Sequence, residues 1–188
     1  ARQSTDLIHG MGDIHPTELK VRLAEKLSEI TPGDLRQVIF SSSGSEAVES
    51  ALKTACLYTR KPCVIAFEGA YHGLTYGALA ATHRRDFRDP FADQMSQFVV
   101  HVSFPGISAV QDVKVQSTLD ASLGRIESLL SASAIGAVLI EPIQSRGGVM
   151  IPPAGFLTEL KRLCVKHKAL LILDEIMTGF GRTGKWFA

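Results

Sequence analysis

Short apolar runs alternate with segments of helical periodicity along most of this chain. The apolar runs have the composition of strands, and they span residues 37–40, 63–67, 98–102, 137–140 and 169–173. Apolar or small residues that recur every three or four positions predict helices over 16–30, 43–56, 75–82, 119–131 and 153–167. Strands that alternate with helices in this way favour βαβ units. We therefore predict an α/β fold, with a mostly parallel sheet and helices on both faces.

Local patterns sharpen several of these predictions. Ser43 and Glu46 have the spacing of a capping box, so a helix should begin at Ser43. Its expected buried stripe comprises Ala47, Val48, Ala51, Leu52, Ala55 and Cys56. The wholly apolar run Ala169–Leu173 predicts a strand buried on both faces of the sheet. A turn at Pro32–Asp34 and a polar loop over 83–97 separate other elements.

Composition and charge exclude several classes of function. The formal net charge of +1 over 188 residues gives no electrostatic footprint for nucleic acid or an anionic membrane surface. No apolar run approaches the roughly 18 residues of a membrane span. Cys56, Cys63 and Cys164 show no C-x-x-C spacing. They indicate buried free thiols in a reducing compartment, here the cytoplasm, rather than a disulfide framework or a zinc site.

The carboxyl ends of parallel strands meet at one edge of a sheet, where ligands bind in open α/β folds. The strand-to-helix segment Ser41–Glu46 offers free backbone N–H groups, hydroxyls and the positive end of a helix dipole, which suit a phosphate. Gly44 would let an anion approach the backbone closely. A well-capped helix without a ligand is the alternative.

Two further strand ends carry an aromatic ring, an imidazole, a carboxylate and a guanidinium. Tyr71 lies between small residues and could stack on a planar ring, with His72 beside it; a loop tyrosine and a satisfied histidine are the alternative. No second histidine stands at ligand spacing, so no metal site is predicted. Glu141 and Arg146 share one loop, which is compatible with a binding role or with a structural Glu–Arg pair.

Asp174 directly follows the last apolar run, so a strand would deliver its carboxylate to the ligand edge. A buried carboxylate needs a cationic or hydrogen-bonding partner. That partner could be a protonated heterocyclic nitrogen of a ligand, or Arg182 or Lys185. The nearby Gly179–Gly184 matches the dinucleotide pattern G-x-G-x-x-G. Because the acids precede the glycines and no helix start follows, this context disfavours an NAD-dependent oxidoreductase.

Together these motifs resemble the class III (ω-amino acid) aminotransferases, which use pyridoxal phosphate on the fold-type I scaffold. The matching segments are Ser43–Glu49, Tyr71–Gly73, Glu141–Gln144, Asp174–Ile176 and Thr178–Gly184. The resemblance implies that residues 1–188 form the core of the large, cofactor-binding domain. It also implies a homodimer that moves an amino group from an amine or ω-amino acid to a keto acid.

The resemblance also implies roles for individual residues. Gly44 and Ser45 would hold the cofactor phosphate. Tyr71 would stack on the pyridine ring, with His72 beside it. Asp174 would pair with the pyridine nitrogen and keep it protonated, so that the ring acts as an electron sink.

Glu141 would belong to the network near the ring hydroxyl and the substrate. The family's Schiff-base lysine and C-terminal small domain would lie beyond Ala188, so the chain is expected to be a fragment without activity of its own. Met177 stands where several members have a glutamine, and Arg146 where ornithine and 4-aminobutyrate enzymes have a glutamate. A guanidinium at that position could bind a substrate carboxylate. Aminomutases and a decarboxylase of the same superfamily, and a truncated non-catalytic binding module, are the alternatives.

Overall fold

The computed structural model describes residues 2–7, 9–10, 14–108 and 116–188. The chain forms two compact units, Ala1–Phe40 and Ser41–Ala188, and each is described by itself. No helix in the described ranges is long and apolar enough to cross a membrane.

The first unit contains the helices α1 (Arg2–Asp6) and α2 (Glu18–Ile30). The predicted start of α2 at Pro16 is two residues early, because Thr17 is still extended and caps the helix. Its hydroxyl accepts a hydrogen bond from the backbone N–H of Lys20. The turn predicted at residues 32–34 is confirmed, and Gly33 supplies its positive φ of 65°.

The strand predicted over residues 37–40 is wrong. This segment has no regular secondary structure, and Ile39 is 68 % exposed. An extended segment becomes a strand when a neighbouring strand pairs with its N–H and C=O groups. No strand in the described residues does so here.

The second unit follows the predicted alternation. Its elements are α3 (Gly44–Thr59), β1 (Cys63–Phe67), α4 (Tyr76–Ala81), α5 (Arg85–Arg88), a 3-10 helix (Asp89–Gln94), β2 (Val99–Val102), β3 (Ile107–Ser108), α6 (Gln116–Ser131), β4 (Ile135–Ile140), β5 (Met150–Ile151), α7 (Phe156–Lys166) and β6 (Leu170–Leu173). The main sheet has the order β2-β1-β4-β6, and every strand pair in it is parallel. Strands β3 and β5 form a small antiparallel sheet.

Alternating residues of β1 reach two separate cores. Ile65 and Phe67 pack with residues of α6 and α7, whereas Val64 and Ala66 pack with residues of α3 and α4. Side chains of a strand point alternately to the two faces of its sheet. Helices therefore cover both faces, as the sequence predicts.

The polar loop predicted over residues 83–97 is partly helical. It contains α5 and the 3-10 helix, whose junction carries an ion pair between Arg85 and Asp89, four residues apart. Helix α7 begins three residues later than predicted. Gly155, with a left-handed φ of 85°, occupies the N-cap position in front of Phe156.

Fewer residues are buried than the apolar pattern predicts. In α3 the buried residues are Val48, Leu52 and Ala55, while Ala47 and Cys56 are exposed. Strand β6 is half-buried rather than buried, because it is an edge strand of the described sheet and Leu173 is 42 % exposed. Of the cysteines, only Cys164 is buried.

Candidate active site

A cavity of about 330 Å³ opens at the carboxyl ends of β1, β4 and β6. Its wall contains every site residue predicted from the sequence, namely Gly44, Ser45, Tyr71, His72, Glu141, Arg146 and Asp174. The wall also contains Ser43, Gly73, Ser145, Ile176 and Met177. Three strand ends and one helix N-terminus therefore meet at a single site, as the parallel sheet requires.

The N-terminus of α3 is capped in a way that leaves two N–H groups free. The Glu46 N–H donates to Ser43 Oγ at 3.2 Å, and the Ser42 N–H donates to Glu46 Oε2 at 2.7 Å, which confirms the capping box. The first helical bond runs from the Ala47 N–H to the Ser43 carbonyl. The N–H groups of Gly44 and Ser45 precede it and have no partner among the described residues.

The glycine at position 73 brings the second strand end against α3. A Cβ atom there would lie 2.1 Å from Ser45 Oγ, and the φ of +126° favours glycine as well. The same Ser45 hydroxyl oxygen accepts a hydrogen bond from the Leu74 N–H at 3.1 Å. The close approach fixes the segment carrying Tyr71 and His72 relative to the mouth of the helix.

Asp174 pairs with His72 rather than with Arg182 or Lys185. Nδ1 of His72 lies 2.7 Å from Oδ2 of Asp174, and the two residues are 1 % and 8 % exposed. The other carboxylate oxygen accepts the N–H of Ile176 at 3.1 Å. The carboxylate holds a proton on Nδ1, and His72 Nε2 is buried without a partner in the described structure.

Glu141 also makes local contacts that differ from the Glu–Arg pair considered above. Its carboxylate accepts the N–H of Tyr71 at 3.1 Å and the N–H of Ser145 at 3.4 Å. Burial raises the pKa of Glu141, against the opposing effect of the hydrogen bond from Tyr71. The protonated form of Glu141 therefore forms more readily than that of an exposed glutamate.

Arg146 lies over an aromatic ring instead of beside an acid. Its guanidinium carbon is 4.3 Å from the centre of the Tyr71 ring, a cation–π arrangement. None of the ion pairs between described residues includes Arg146. The edge of Phe87 meets Tyr71 at 5.7 Å between ring centres, so Tyr71 is held by two neighbours.

The glycine-rich segment after Asp174 turns back on itself. The Phe180 N–H donates to the Trp186 carbonyl at 2.7 Å, and the Gly181 N–H donates to the Lys185 carbonyl at 3.0 Å. No helix begins at these glycines, unlike the dinucleotide fingerprint. Nor do the described residues contain a group of three metal-ligating side chains placed to hold an ion.

Sequence patterns did not reveal the residues that support this site from behind. Thr82 and His83 bond the backbone of the Tyr71 segment, and Gln144 bonds it from the β4 side. Gln144 falls in a matching family motif, but no pattern says which carbonyl it reaches. For Thr82 the only signal is its place at the end of a small-residue helix.

Comparison with known proteins identifies the family. All of residues 1–188 match the family model described as Aminotransferase class-III. The chain therefore belongs to the class III aminotransferase family. It is 41 % identical over 182 residues to the acetylornithine aminotransferase of Methanopyrus kandleri, covering 97 % of this chain and 42 % of that protein. The acetylornithine aminotransferase of Methanosarcina acetivorans is 38 % identical, with 98 % and 42 % covered.

Solved structures confirm the fold. The (S)-enantioselective ω-transaminase of Thermomicrobium roseum has a TM-score of 0.88 at 29 % identity, covering 99 % of this chain and 44 % of that chain. The taurine:2-oxoglutarate aminotransferase of Bifidobacterium kashiwanohense, solved with pyridoxal phosphate (PLP) and glutamate, has a TM-score of 0.86 at 30 % identity, covering 99 % and 43 %. The chain has the fold of the fold-type I large domain and spans less than half the length of these proteins.

Proposed function

We propose that the protein is a PLP-dependent aminotransferase that moves an amino group from an amine or ω-amino acid to a keto acid. The observation that carries this proposal is the buried Asp174 carboxylate, held by His72 in the same cavity as the free N–H groups of α3. The proposal concerns the whole protein, since the chain spans 42 % of its curated relatives. We also propose a cytoplasmic homodimer, as the family resemblance implies.

The described residues fit the cofactor. The N–H groups of Gly44 and Ser45 at a helix N-terminus suit its phosphate. The ring of Tyr71 suits the face of its pyridine, and the Asp174 carboxylate suits the protonated ring nitrogen. When bound, the cofactor supplies an electron sink for the carbon that carries the amino group.

Three residues of the chain, His72, Asp174 and Glu141, determine the charges and hydrogen bonds of this site. His72 fixes the orientation of the Asp174 carboxylate through the 2.7 Å contact at Nδ1. A buried carboxylate holds a proton on its partner more strongly than an exposed one, because the surrounding dielectric is low. We assign Glu141, held by the Tyr71 and Ser145 N–H groups, to the neighbourhood of the ring hydroxyl and the substrate.

The relatives favour amino transfer over the alternatives from the same superfamily. Those compared above are described as aminotransferases or transaminases. One of them was solved with both PLP and glutamate, which are a cofactor and an amino compound. None of these four relatives is described as an aminomutase or a decarboxylase.

Replacement of Asp174 by asparagine tests the proposal in the full-length protein. An amide cannot hold the ring nitrogen protonated, so kcat for amino transfer should fall about 100- to 1,000-fold, the usual effect of losing one such electrostatic contact. The matched control is Asp93→Asn, at an exposed position in the 3-10 helix. A wild-type protein without PLP-dependent amino transfer would refute the function, and a near-normal kcat in Asp174→Asn would refute the assigned role.

A further inference from the structure

The segment Glu68–Gly73, which carries Tyr71 and His72, is held in place mainly by side chains. Past the end of β1 the carbonyl of its first residue accepts Gln144 Nε2 at 2.8 Å. The N–H of its second residue donates to His83 Nδ1 at 3.1 Å. Backbone groups that are buried without a partner are costly, so these contacts determine where the segment lies.

Thr82 makes the most demanding of these contacts. Its Oγ1 accepts the N–H of His72 at 2.9 Å and donates to the carbonyl of Gly73 at 3.0 Å. The residue is fully buried, with 0 % exposure. It follows the last residue of α4, and its own N–H closes that helix on the Ala78 carbonyl. One hydroxyl therefore joins the end of α4 to two consecutive residues of the segment.

The position of His72 matters because its ring meets Asp174. Nδ1 is 2.7 Å from the carboxylate, and both side chains are almost completely buried. Because both side chains are packed tightly, a shift of the backbone behind His72 would change the geometry of this contact. Thr82 itself is not part of the cavity wall. Its influence on a ligand passes through the two cavity residues that it bonds, His72 and Gly73.

We infer that Thr82 is a positioning residue for the proposed amino transfer. It fixes the backbone of His72, and through His72 it fixes the orientation of the Asp174 carboxylate. This inference rests on the proposed function. A hydroxyl that merely satisfied buried backbone groups would affect stability and leave the His72–Asp174 contact unchanged.

The chain offers a closely matched control at Thr59. Its Oγ1 donates to the Ala55 carbonyl at 2.7 Å and accepts the Lys61 N–H at 3.3 Å, the same two kinds of bond that Thr82 makes. Thr59 ends α3, whereas the cavity lies at the beginning of that helix, roughly 20 Å away at 1.5 Å per residue. Valine at either position keeps the shape of threonine and removes both bonds.

The experiment compares Thr82→Val, Thr82→Ser and Thr59→Val in the full-length protein. In the cofactor-free form, the downfield proton NMR signal of His72 Nδ1–H, assigned by its loss in His72→Gln, reports the contact with Asp174. PLP affinity, kcat and KM are then measured with the cofactor restored. Urea unfolding of each variant shows how much stability is lost.

We expect Thr82→Val to shift or lose the His72 signal and to bind PLP about tenfold more weakly, the effect of one or two broken buried hydrogen bonds. Its kcat should fall more than its KM changes. Thr82→Ser should retain all of these properties. Thr59→Val should retain them too, while losing some stability, less than Thr82→Val because the Thr59 hydroxyl is only half-buried.

Two results would overturn the inference. One is an unchanged His72 signal and PLP affinity in Thr82→Val, and the other is the same losses in Thr59→Val. If Thr82→Val does not fold, Thr82→Ala and Thr59→Ala replace the valine pair with the same criteria. Failure of the wild-type protein to use PLP would refute the proposed function instead, and the signal of the cofactor-free protein would still test Thr82.

Discussion

The side chain of Arg146 lies against the Tyr71 ring and is exposed to solvent. Stacking on an aromatic face restricts the guanidinium to a plane and leaves its N–H donors available. Arg146 also belongs to the cavity wall, in a loop that continues with two glycines. These contacts favour a role in binding a substrate carboxylate in bidentate fashion.

Replacing Arg146 should therefore change substrate preference rather than general activity. In Arg146→Met we expect kcat/KM for a carboxylate-bearing donor to fall about tenfold or more, which corresponds to one charge-assisted hydrogen bond. The uncharged amine analogue of that donor should lose little. Arg146→Lys, which keeps the charge but loses the planar fork, should give an intermediate value. Equal losses for both donors in Arg146→Met would mean that Arg146 is structural.

At the scale of single residues, the sequence predicts which residues line the cavity, but it does not predict which side chains contact one another. Gly44, Tyr71 and Asp174 could be predicted because each follows or precedes a recognisable element at the ligand edge. The pairing of His72 with Asp174 could not, since 102 positions separate the two residues. Arg182 and Lys185 were the nearer cations in sequence, yet the backbone turns their segment back on itself.

At the scale of the elements, strand β2 carries His101, whose ring stays neutral at pH values where an exposed histidine is protonated. Nε2 of His101 lies 3.0 Å from the Ala81 carbonyl, and its ring is 5.2 Å from that of His83. Burial lowers the pKa of His101 to about 4, and the charge of Arg88 acts in the same direction. The hydrogen bond to Ala81 opposes this shift without cancelling it.

This histidine should make the protein sensitive to acid. In the unfolded chain, His101 binds a proton once the pH falls below its ordinary pKa of 6.5. In the folded chain it stays neutral until the pH approaches 4. The stability present above pH 6.5 is thus lost as the pH falls towards 4. With partial solvent screening, the loss should reach no more than about 2 kcal/mol.

Urea unfolding of His101→Gln at pH 7 and pH 5 measures this contribution, because glutamine keeps an N–H donor for Ala81 and does not titrate. The variant should lose less unfolding free energy between the two pH values than the wild type. The exposed His9→Gln provides the control. Identical pH dependence in wild type and His101→Gln would contradict the prediction.

Elements with a clear apolar pattern could be predicted almost to the residue. Elements that depend on a partner strand or on local ion pairs could not. β1 agrees with its prediction at both ends, since its purely apolar run is bounded by Pro62 and Glu68. The segment 37–40 has a similar composition and no partner strand in the described sheet. α5 and the 3-10 helix were missed, because their stabilising ion pairs are local and carry no apolar period.

For the molecule as a whole, the cavity ties α3 to the ends of three strands. A ligand that touches all of them binds the folded state alone and stabilises it, by about 2.7 kcal/mol at a concentration 100 times its Kd. We expect PLP to raise the unfolding temperature of the full-length protein. Pyridoxal, which lacks the phosphate, should raise it much less, because the N–H groups of Gly44 and Ser45 would then remain without an anion.

Thermal unfolding with PLP, with pyridoxal, and with pyridoxal plus inorganic phosphate makes this comparison at equal concentrations. The mixture should recover part of the difference if the helix N-terminus binds the anion. Equal shifts for PLP and pyridoxal would contradict the assignment of the phosphate to α3.

The order of the cavity segments along the chain also governs how the site is assembled during synthesis. Ser43 and Met177 stand at opposite ends of the set of residues that line the cavity, so most of the unit must leave the ribosome before the wall is complete. β6 adds to the sheet beside β4, and Asp174 follows β6 directly. Of the strand ends that line the cavity, the one with Asp174, the proposed partner of the ring nitrogen, is the last to be made. A nascent chain can thus present the N-terminus of α3, the proposed phosphate site, well before the other proposed cofactor contacts exist.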